Sequence, residues 1–106
     1  MSDHLSVYLT APSFEVAQTI GRTLVEERLA ACVNIVPGMH SIYRWQSKIE
    51  TAVEVVLIAK SRSALFESIE KRVRELHAYD CACIVAWPIE AGYQPYLDWI
   101  EKETAR

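Results

Sequence analysis

The chain has 106 residues, three of them cysteine, with a formal net charge of −3 and a hydrophobic fraction of 51%. This length suits one domain built around one core, and we interpret residues 1–106 as that single domain. The sequence has no cluster of Lys or Arg that would indicate nucleic-acid binding. It also has no apolar run that approaches the roughly 20 residues of a membrane-spanning helix. The N-terminus does not have the pattern of a signal peptide. The odd number of cysteines argues against a framework of paired disulfides. We therefore expect a reduced, cytoplasmic protein with neither a nucleic-acid nor a membrane partner.

Hydrophobic periodicity in the first third of the chain predicts a strand, a helix and a second strand. Apolar and polar residues alternate over residues 5–9, which is typical of a half-buried strand. Ser13 is the predicted N-cap of a helix that extends to Val25 with apolar residues at helical spacing. A second strand is predicted over residues 32–36, ended by a turn at Pro37-Gly38.

The rest of the chain predicts a long hairpin followed by three shorter elements. The strands of the hairpin, over residues 40–45 and 49–60, are joined by a turn at residues 46–48. The remaining predicted elements are a helix over residues 63–76, a strand over 84–87 and a short helix after Gly92. This order indicates an α+β fold of the ferredoxin-like, split βαβ type, in which two helices cover one face of a mostly antiparallel sheet.

Two predicted strands are apolar on both faces. Over residues 53–59, Val55 and Leu57 share one face while Val56 and Ile58 share the other, and residues 84–87 are likewise apolar throughout. Because two helices bury only one face of a sheet, something else must cover the second face. A second copy of the chain is the economical candidate, and the open alternative is a C-terminal segment that folds back.

The segment His77-Ala-Tyr-Asp-Cys-Ala-Cys83 concentrates groups that bind metals. Cys81 and Cys83 would point to the same side of an extended backbone, with His77 close by in sequence. Two soft sulfurs and an imidazole suit Cu(I) or Zn(II), so we consider these three residues as metal ligands. The alternative is that both thiols act as small apolar residues at the entry to a buried strand.

No motif for turnover chemistry is present in the sequence. We find no Gly-rich phosphate loop, no nucleophile beside His77 and no paired-carboxylate motif, so we expect neither an enzyme nor an organic cofactor.

Five phrases, taken in order, make the chain resemble the CutA divalent-cation tolerance family over residues 5–100. They are Ala31-Cys-Val-Asn-Ile-Val-Pro-Gly38, Ser41-Ile-Tyr-Arg-Trp45, Lys48-Ile-Glu50, His77-Ala-Tyr-Asp80 and Tyr96-Leu-Asp-Trp-Ile100. The resemblance implies a ferredoxin-like homotrimer built by edge-to-edge sheet contact. It also implies tolerance of divalent metals, copper above all, a likeness to trimeric PII-type signalling proteins, and no settled enzymatic activity.

The same resemblance implies a set of residues near clefts between subunits. They are Tyr43, Trp45, Lys48, Glu50, Lys60, His77 and Tyr79. Among these residues, Lys48, Glu50 and Lys60 would form ion pairs at the interface or hold a small anionic ligand in the cleft. The chain departs from the family pattern at Ala78, where proline is common, and at Leu9, where some members carry cysteine. It also has Ser47 in place of the usual glycine of the hairpin turn, from which we expect a turn that does not require a positive φ.

We therefore expect a trimeric protein that binds or responds to divalent or copper ions. Two other hypotheses remain open. One is a PII-like signalling module that binds a small anionic ligand at the cleft between subunits, and the other is a trimeric scaffold for a partner protein.

Overall fold

The computed structural model describes residues 3–77, 79 and 81–106, so Ala78 and Asp80 of the His77 segment lie outside the described residues. The strands are β1 (His4–Ala11), β2 (Cys32–Trp45), β3 (Lys48–Arg62) and β4 (Ile84–Pro88), and the helices are α1 (Phe14–Glu26), α2 (Phe66–Leu76) and α3 (Gln94–Glu103). The four strands form one sheet in the order β2-β3-β1-β4, and every neighbouring pair is antiparallel. The predicted α+β, ferredoxin-like class is confirmed.

Helices α1 and α2 pack on one face of this sheet. Helix α1 begins at the predicted position, where the Ser13 hydroxyl accepts a hydrogen bond of 3.2 Å from the Val16 N–H. The shared core is fully buried and includes Val7, Leu9, Ile20, Leu24, Leu57, Ile69 and Val73. None of the helices in the described ranges is both long and apolar enough to cross a bilayer.

Strand β2 contains a bulge at Pro37-Gly38 and continues beyond it, so the turn predicted at these residues is wrong. Between Val36 and Met39, two residues of β2 face a single residue of β3, Val55. Gly38 has φ +81°, a conformation that glycine adopts without a steric cost, and proline is tolerated at a bulge because it lacks a ladder donor. The extra residue leaves Val36 and Met39 on the same face of the sheet.

The hairpin turn between β2 and β3 also differs from expectation. Trp45 pairs with Lys48, so the connection is a two-residue turn of Gln46 and Ser47. Gln46 has φ 49° and Ser47 has φ 67°. A two-residue turn of this kind requires positive φ at both positions to match the twist of the strands. The expectation that Ser47 avoids a positive φ is therefore wrong.

The second face of the sheet is covered at one end by α3. His4 Nε2 lies 3.2 Å from the Leu97 carbonyl oxygen, and Arg62 Nε donates to the Thr104 hydroxyl at 2.8 Å. His4 and Arg62 are register partners on this face. The C-terminal segment thus folds back in part, as in the alternative considered above. Elsewhere on this face, three apolar side chains remain about half exposed, namely Val36, Val85 and Trp87.

Candidate functional site

The outer parts of β2 and β3 form a two-stranded arm. Strand β1 pairs with β3 only from Val55 to Arg62, whereas β2 and β3 stay paired as far as Trp45 and Lys48. We call residues 39–45 and 48–54 the arm. Because Glu54 lies two residues from Val56 along β3, one side of the arm continues the second face of the sheet.

An open groove of about 720 Å³ lies where this side of the arm meets the second face. Its lining combines aromatic, sulfur-bearing and acidic side chains. These are the aromatics Tyr8, Tyr43, Trp45 and Tyr79, the sulfur-bearing Met39, Cys81 and Cys83, and the carboxylate Glu54, and the lining is completed by Thr10, Ser41 and Ile42. Among the described residues that line the groove, Glu54 alone carries a charge at neutral pH.

His77 anchors the segment that follows α2 to strand β1. Its Nε2 lies 2.6 Å from the Thr10 carbonyl oxygen, and because a carbonyl accepts, this nitrogen carries the proton and donates. Its Nδ1 accepts a hydrogen bond of 3.1 Å from the Tyr79 backbone N–H. Both imidazole nitrogens are therefore engaged, and in this arrangement neither is open to a metal. His77 acts here as a structural residue that positions Tyr79 and the cysteines.

Tyr79 joins the same segment to the arm. Its hydroxyl donates to Glu54 Oε2 at 3.4 Å, and its ring lies 4.6 Å from the His77 ring, centroid to centroid. Burial raises the pKa of Tyr79, and the charge of Glu54 raises it further. Tyr79 is therefore a neutral hydroxyl donor at neutral pH, which fixes one oxygen of the Glu54 carboxylate.

Cys81 and Cys83 both line the groove as free thiols. Cys81 is exposed and Cys83 is half-buried. Burial raises the pKa of the Cys83 thiol, and the Glu54 carboxylate adds to that rise. Over residues 3–77, 79 and 81–106, no three side chains of His, Cys, Asp and Glu converge on a common point. The two thiols are thus available as donors without a closed ligand shell around them.

Met39 supplies a third sulfur to the groove. Its Sδ accepts a hydrogen bond of 3.1 Å from the Tyr8 hydroxyl, which joins β1 to β2 across the groove floor. A thioether is a weak acceptor and a soft ligand. Met39 and its neighbour His40 lie on opposite faces of the strand, so they do not form a ligand pair.

The third cysteine of the chain, Cys32, lies outside the groove. Its Sγ is 3.3 Å from the Tyr96 hydroxyl, so it joins β2 to α3. Hydrogen bonding to Cys32, together with burial, raises the pKa of Tyr96 to about 12. Cys32 therefore has a packing role and offers a matched control for the two groove thiols.

The cleft residues implied by the resemblance fall into separate groups in one chain. Those that line the groove are Tyr43, Trp45 and Tyr79. Lys48 and Glu50 lie on the arm, paired in register with two of these aromatics. Lys60 is ten residues beyond Glu50 on β3, a separation of about 33 Å along a strand. A single chain therefore does not bring Lys60 to Glu50, and Lys60 is not among the described residues that line the groove.

Sequence reasoning did not find Tyr8, Met39 or Glu54 as groove residues. Glu54 carried a usable signal, because it is an acid within the otherwise apolar run from Val53 to Ala59. Nothing in the sequence indicated that Tyr8 and Met39 share a site, since only the strand register and the bulge bring them together.

Comparison with known proteins gives one family. A family model described as "CutA1 divalent ion tolerance protein" matches residues 5–103. The "Divalent-cation tolerance protein CutA" of Thermus thermophilus is 51% identical over 98 residues, covering 92% of this chain and 95% of that protein. The protein of the same name from Archaeoglobus fulgidus is 46% identical over 99 residues, covering 93% and 96%. The human "Protein CutA" is 42% identical, and the match covers 93% of this chain but 55% of that protein.

The fold is likewise similar to that of solved structures of CutA1 proteins. The "Divalent cation tolerance protein (Cut A1)" of Thermus thermophilus superposes with a TM-score of 0.94 at 49% identity, covering 96% of this chain and 99% of that one. A structure titled "CutA1 from Oryza sativa" superposes with a TM-score of 0.95 at 37% identity, covering 99% and 96%.

Proposed function

Because the chain belongs to the CutA1 divalent ion tolerance family, we propose that it supports tolerance of divalent and copper ions by binding them itself, as a homotrimer. The observation that carries the proposal is the groove in which two free thiols and a thioether lie together. The relatives from Thermus thermophilus and Archaeoglobus fulgidus are called divalent-cation tolerance proteins, and this groove provides ligand chemistry that suits such a role.

The proposed metal ligands are Cys81 and Cys83, with Met39 as a weaker third sulfur. Thiolates bind both Zn(II) and Cu(I), whereas a thioether favours Cu(I). Cys81 is exposed, so its side chain has the rotamer freedom to turn toward Cys83 when a metal arrives. His77 is left out of this ligand set because both of its nitrogens hold the segment in place. The metal is a cargo here, and no organic cofactor is part of the proposal.

The apolar surface that is exposed in a single chain supports the proposed trimer. Along the arm, Ile42, Ile49 and Val53 are 76%, 68% and 60% exposed. A two-stranded ribbon is marginal in water on its own, and monomers rarely leave such a patch uncovered. Strands β2 and β4 are also sheet edges, which offer unpaired backbone groups to a neighbour.

The proposal places the protein in a reducing compartment such as the cytoplasm and assigns it no turnover chemistry. Cys32, Cys81 and Cys83 are free thiols, and the two groove thiols must stay reduced to bind metal. A general base is the first requirement of hydrolytic or proton-transfer chemistry, and both nitrogens of His77 are engaged in hydrogen bonds.

X-ray absorption at the zinc edge tests the ligand assignment. Protein loaded with one equivalent of Zn(II) per chain under reducing conditions should show a sulfur shell at about 2.3 Å. The shell should disappear in Cys81→Ser/Cys83→Ser and persist in Cys32→Ser, because Cys32 lies outside the groove. A first shell made only of nitrogen and oxygen, at about 2.0–2.1 Å, would contradict the assignment.

Small-ligand binding is the second candidate function, favoured by the size of the groove. Pockets for small molecules usually measure roughly 300–1,000 Å³, and this groove falls within that range. The anionic ligand expected from Lys48, Glu50 and Lys60 suits this groove poorly, because the charge that the described residues place in its lining is that of Glu54.

A further inference from the structure

We propose that Cys81 forms a mixed disulfide with a small zwitterionic disulfide of the cystine type, which Glu70 and Arg74 hold in a second cavity. This cavity measures about 470 Å³, a size typical of small-molecule pockets. Its described lining combines the exposed thiol of Cys81 with these two charged side chains and is completed by Tyr79, Ala82 and Ile84. The reaction itself needs no metal, and only its consequence for metal binding rests on the proposed function.

The second cavity lies on the helix-covered side of the sheet. Glu70 and Arg74 both belong to α2. Ile84 pairs in register with the buried Leu9 and packs against the core that the helices cover. Cys81 borders this cavity as well as the groove, so its thiol is reached from the α2 side. This approach does not require the opposite face of the sheet, which a neighbouring chain would cover, to be free.

Glu70 and Arg74 present one negative and one positive charge to the cavity. They are four residues apart on α2 and therefore share one face of the helix. Within the described part of the chain neither forms an ion pair, whereas Arg22 and Glu26, at the same spacing on α1, lie 3.9 Å apart. A carboxylate and a guanidinium without partners, side by side, match the ammonium and carboxylate groups of an amino acid.

The reaction is a thiol–disulfide exchange, which balances without a further oxidant. The Cys81 thiolate attacks one sulfur of the bound disulfide, so that a bond forms between Cys81 Sγ and that sulfur while the S–S bond of the ligand breaks. The released cysteine leaves as a thiolate and takes up the proton that Cys81 lost. Cys81 is oxidised and half of the ligand is reduced. Cys83 is half-buried and is not among the described residues that line this cavity, so Cys81 is the thiol that reacts.

The mixed disulfide would regulate the proposed metal site. The thiolate is the form of cysteine that binds a metal, and a sulfur held in a disulfide no longer provides it. The adduct would leave Cys83 as the single thiol of the groove. Metal bound at Cys81 should in turn protect this thiol from the exchange.

Intact mass spectrometry of the assembled, metal-free protein provides the test, with cystine as the probe and a chelator present. The native chain should gain one cysteine, placed at Cys81 by peptide mapping, and dithiothreitol should reverse the gain. Cys81→Ser should remove the modification, and Cys32→Ser should retain it because Cys32 contacts Tyr96 instead. A native protein that stays unmodified, or that reacts equally at Cys32, would overturn the proposal.

Two charge variants and two simpler disulfides separate recognition from reactivity. Arg74→Gln should slow the reaction with cystine about tenfold, the scale of one charge-assisted contact, and should not slow that with cystamine, which lacks carboxylates. Glu70→Gln should likewise slow the reaction with cystine and should not slow that with dithiodipropionate, which lacks ammonium groups. Lys71→Gln, at an exposed position of α2 outside the described cavity lining, is the control and should leave all three rates unchanged.

The outcomes of this comparison are distinct from those of the metal experiments. If Arg74→Gln slowed cystamine as much as cystine, or had no effect on either, the assignment of the cavity to a zwitterionic ligand would be overturned. A native chain that reacts with cystine at Cys81 but binds no metal would support this inference and contradict the proposed function.

Discussion

The double substitution Ile42→Glu/Ile49→Glu is expected to convert the proposed trimer into folded monomers. In one chain these side chains are 76% and 68% exposed, so the change should cost the fold of a monomer no more than about 0.5 kcal/mol. If the arm is covered by a neighbouring chain, the same change places unpaired carboxylates in an interface, at a cost of several kcal/mol. Ile49 also pairs in register with Arg44, which gives Glu at this position a favourable cross-strand partner in the monomer.

Light scattering measures this result directly. The native chain should have about three times its chain mass of 12.1 kDa, and the variant should have the chain mass with an unchanged circular dichroism spectrum. Val25→Glu, at an exposed position of α1, is the control and should remain trimeric. A native protein that is monomeric, or a variant that keeps the native mass, would contradict the trimer. A monomer would also contradict the hypothesis of a trimeric scaffold for a partner protein.

Leu24→Ala is expected to lower the free energy of unfolding by about 3 kcal/mol. Leu24 is fully buried between α1 and the sheet, so its removal leaves a cavity in the core. The adjacent residue Val25 is 41% exposed, and Val25→Ala should change stability by no more than about 0.5 kcal/mol. Chemical denaturation of both variants at one protomer concentration gives the comparison, because the stability of an oligomer depends on concentration. Similar losses in the two variants would show that the core is assigned to the wrong face of α1.

Local patterns in the sequence predicted most of the fold. The alternation of apolar and polar residues predicted β1, and apolar residues at helical spacing after an N-cap at Ser13 predicted α1. Both signals arise within a few residues of one another. The bulge in β2 was misread as a turn since Pro-Gly is typical of both. Only the pairing of β2 with β3 on both sides of Gly38 distinguishes them.

The hairpin turn shows a different limit of sequence reasoning. Serine does not favour a positive φ, and this preference led to the wrong expectation for Ser47. The pairing of Trp45 with Lys48 leaves two residues for the connection, and the turns favoured for so short a connection have positive φ at the first or at both positions, as Gln46 and Ser47 do here. Strand pairing thus overrides the local preference of the residue.

The candidate site was predictable where its residues are close in sequence. The spacing of Cys81 and Cys83 indicated thiols on one side of the chain, and both line one groove. Sequence proximity was misleading for His77, whose nitrogens are used by Thr10 and Tyr79, because a one-dimensional sequence does not reveal hydrogen bonds to a distant strand. The meeting of Tyr8 with Met39 depends on β1, β3 and the bulge together, and no local pattern encodes it.

A competition titration with Cu(I) and Zn(II) under reducing conditions tests the metal-binding claim most directly. It compares the native chain with Cys81→Ser/Cys83→Ser and with the control Cys32→Ser. We predict stoichiometric binding by the native chain and by Cys32→Ser, and loss of that binding in the double variant. Metal binding that is absent from the native chain, or equal in all three proteins, would contradict a direct role of the groove thiols in metal tolerance.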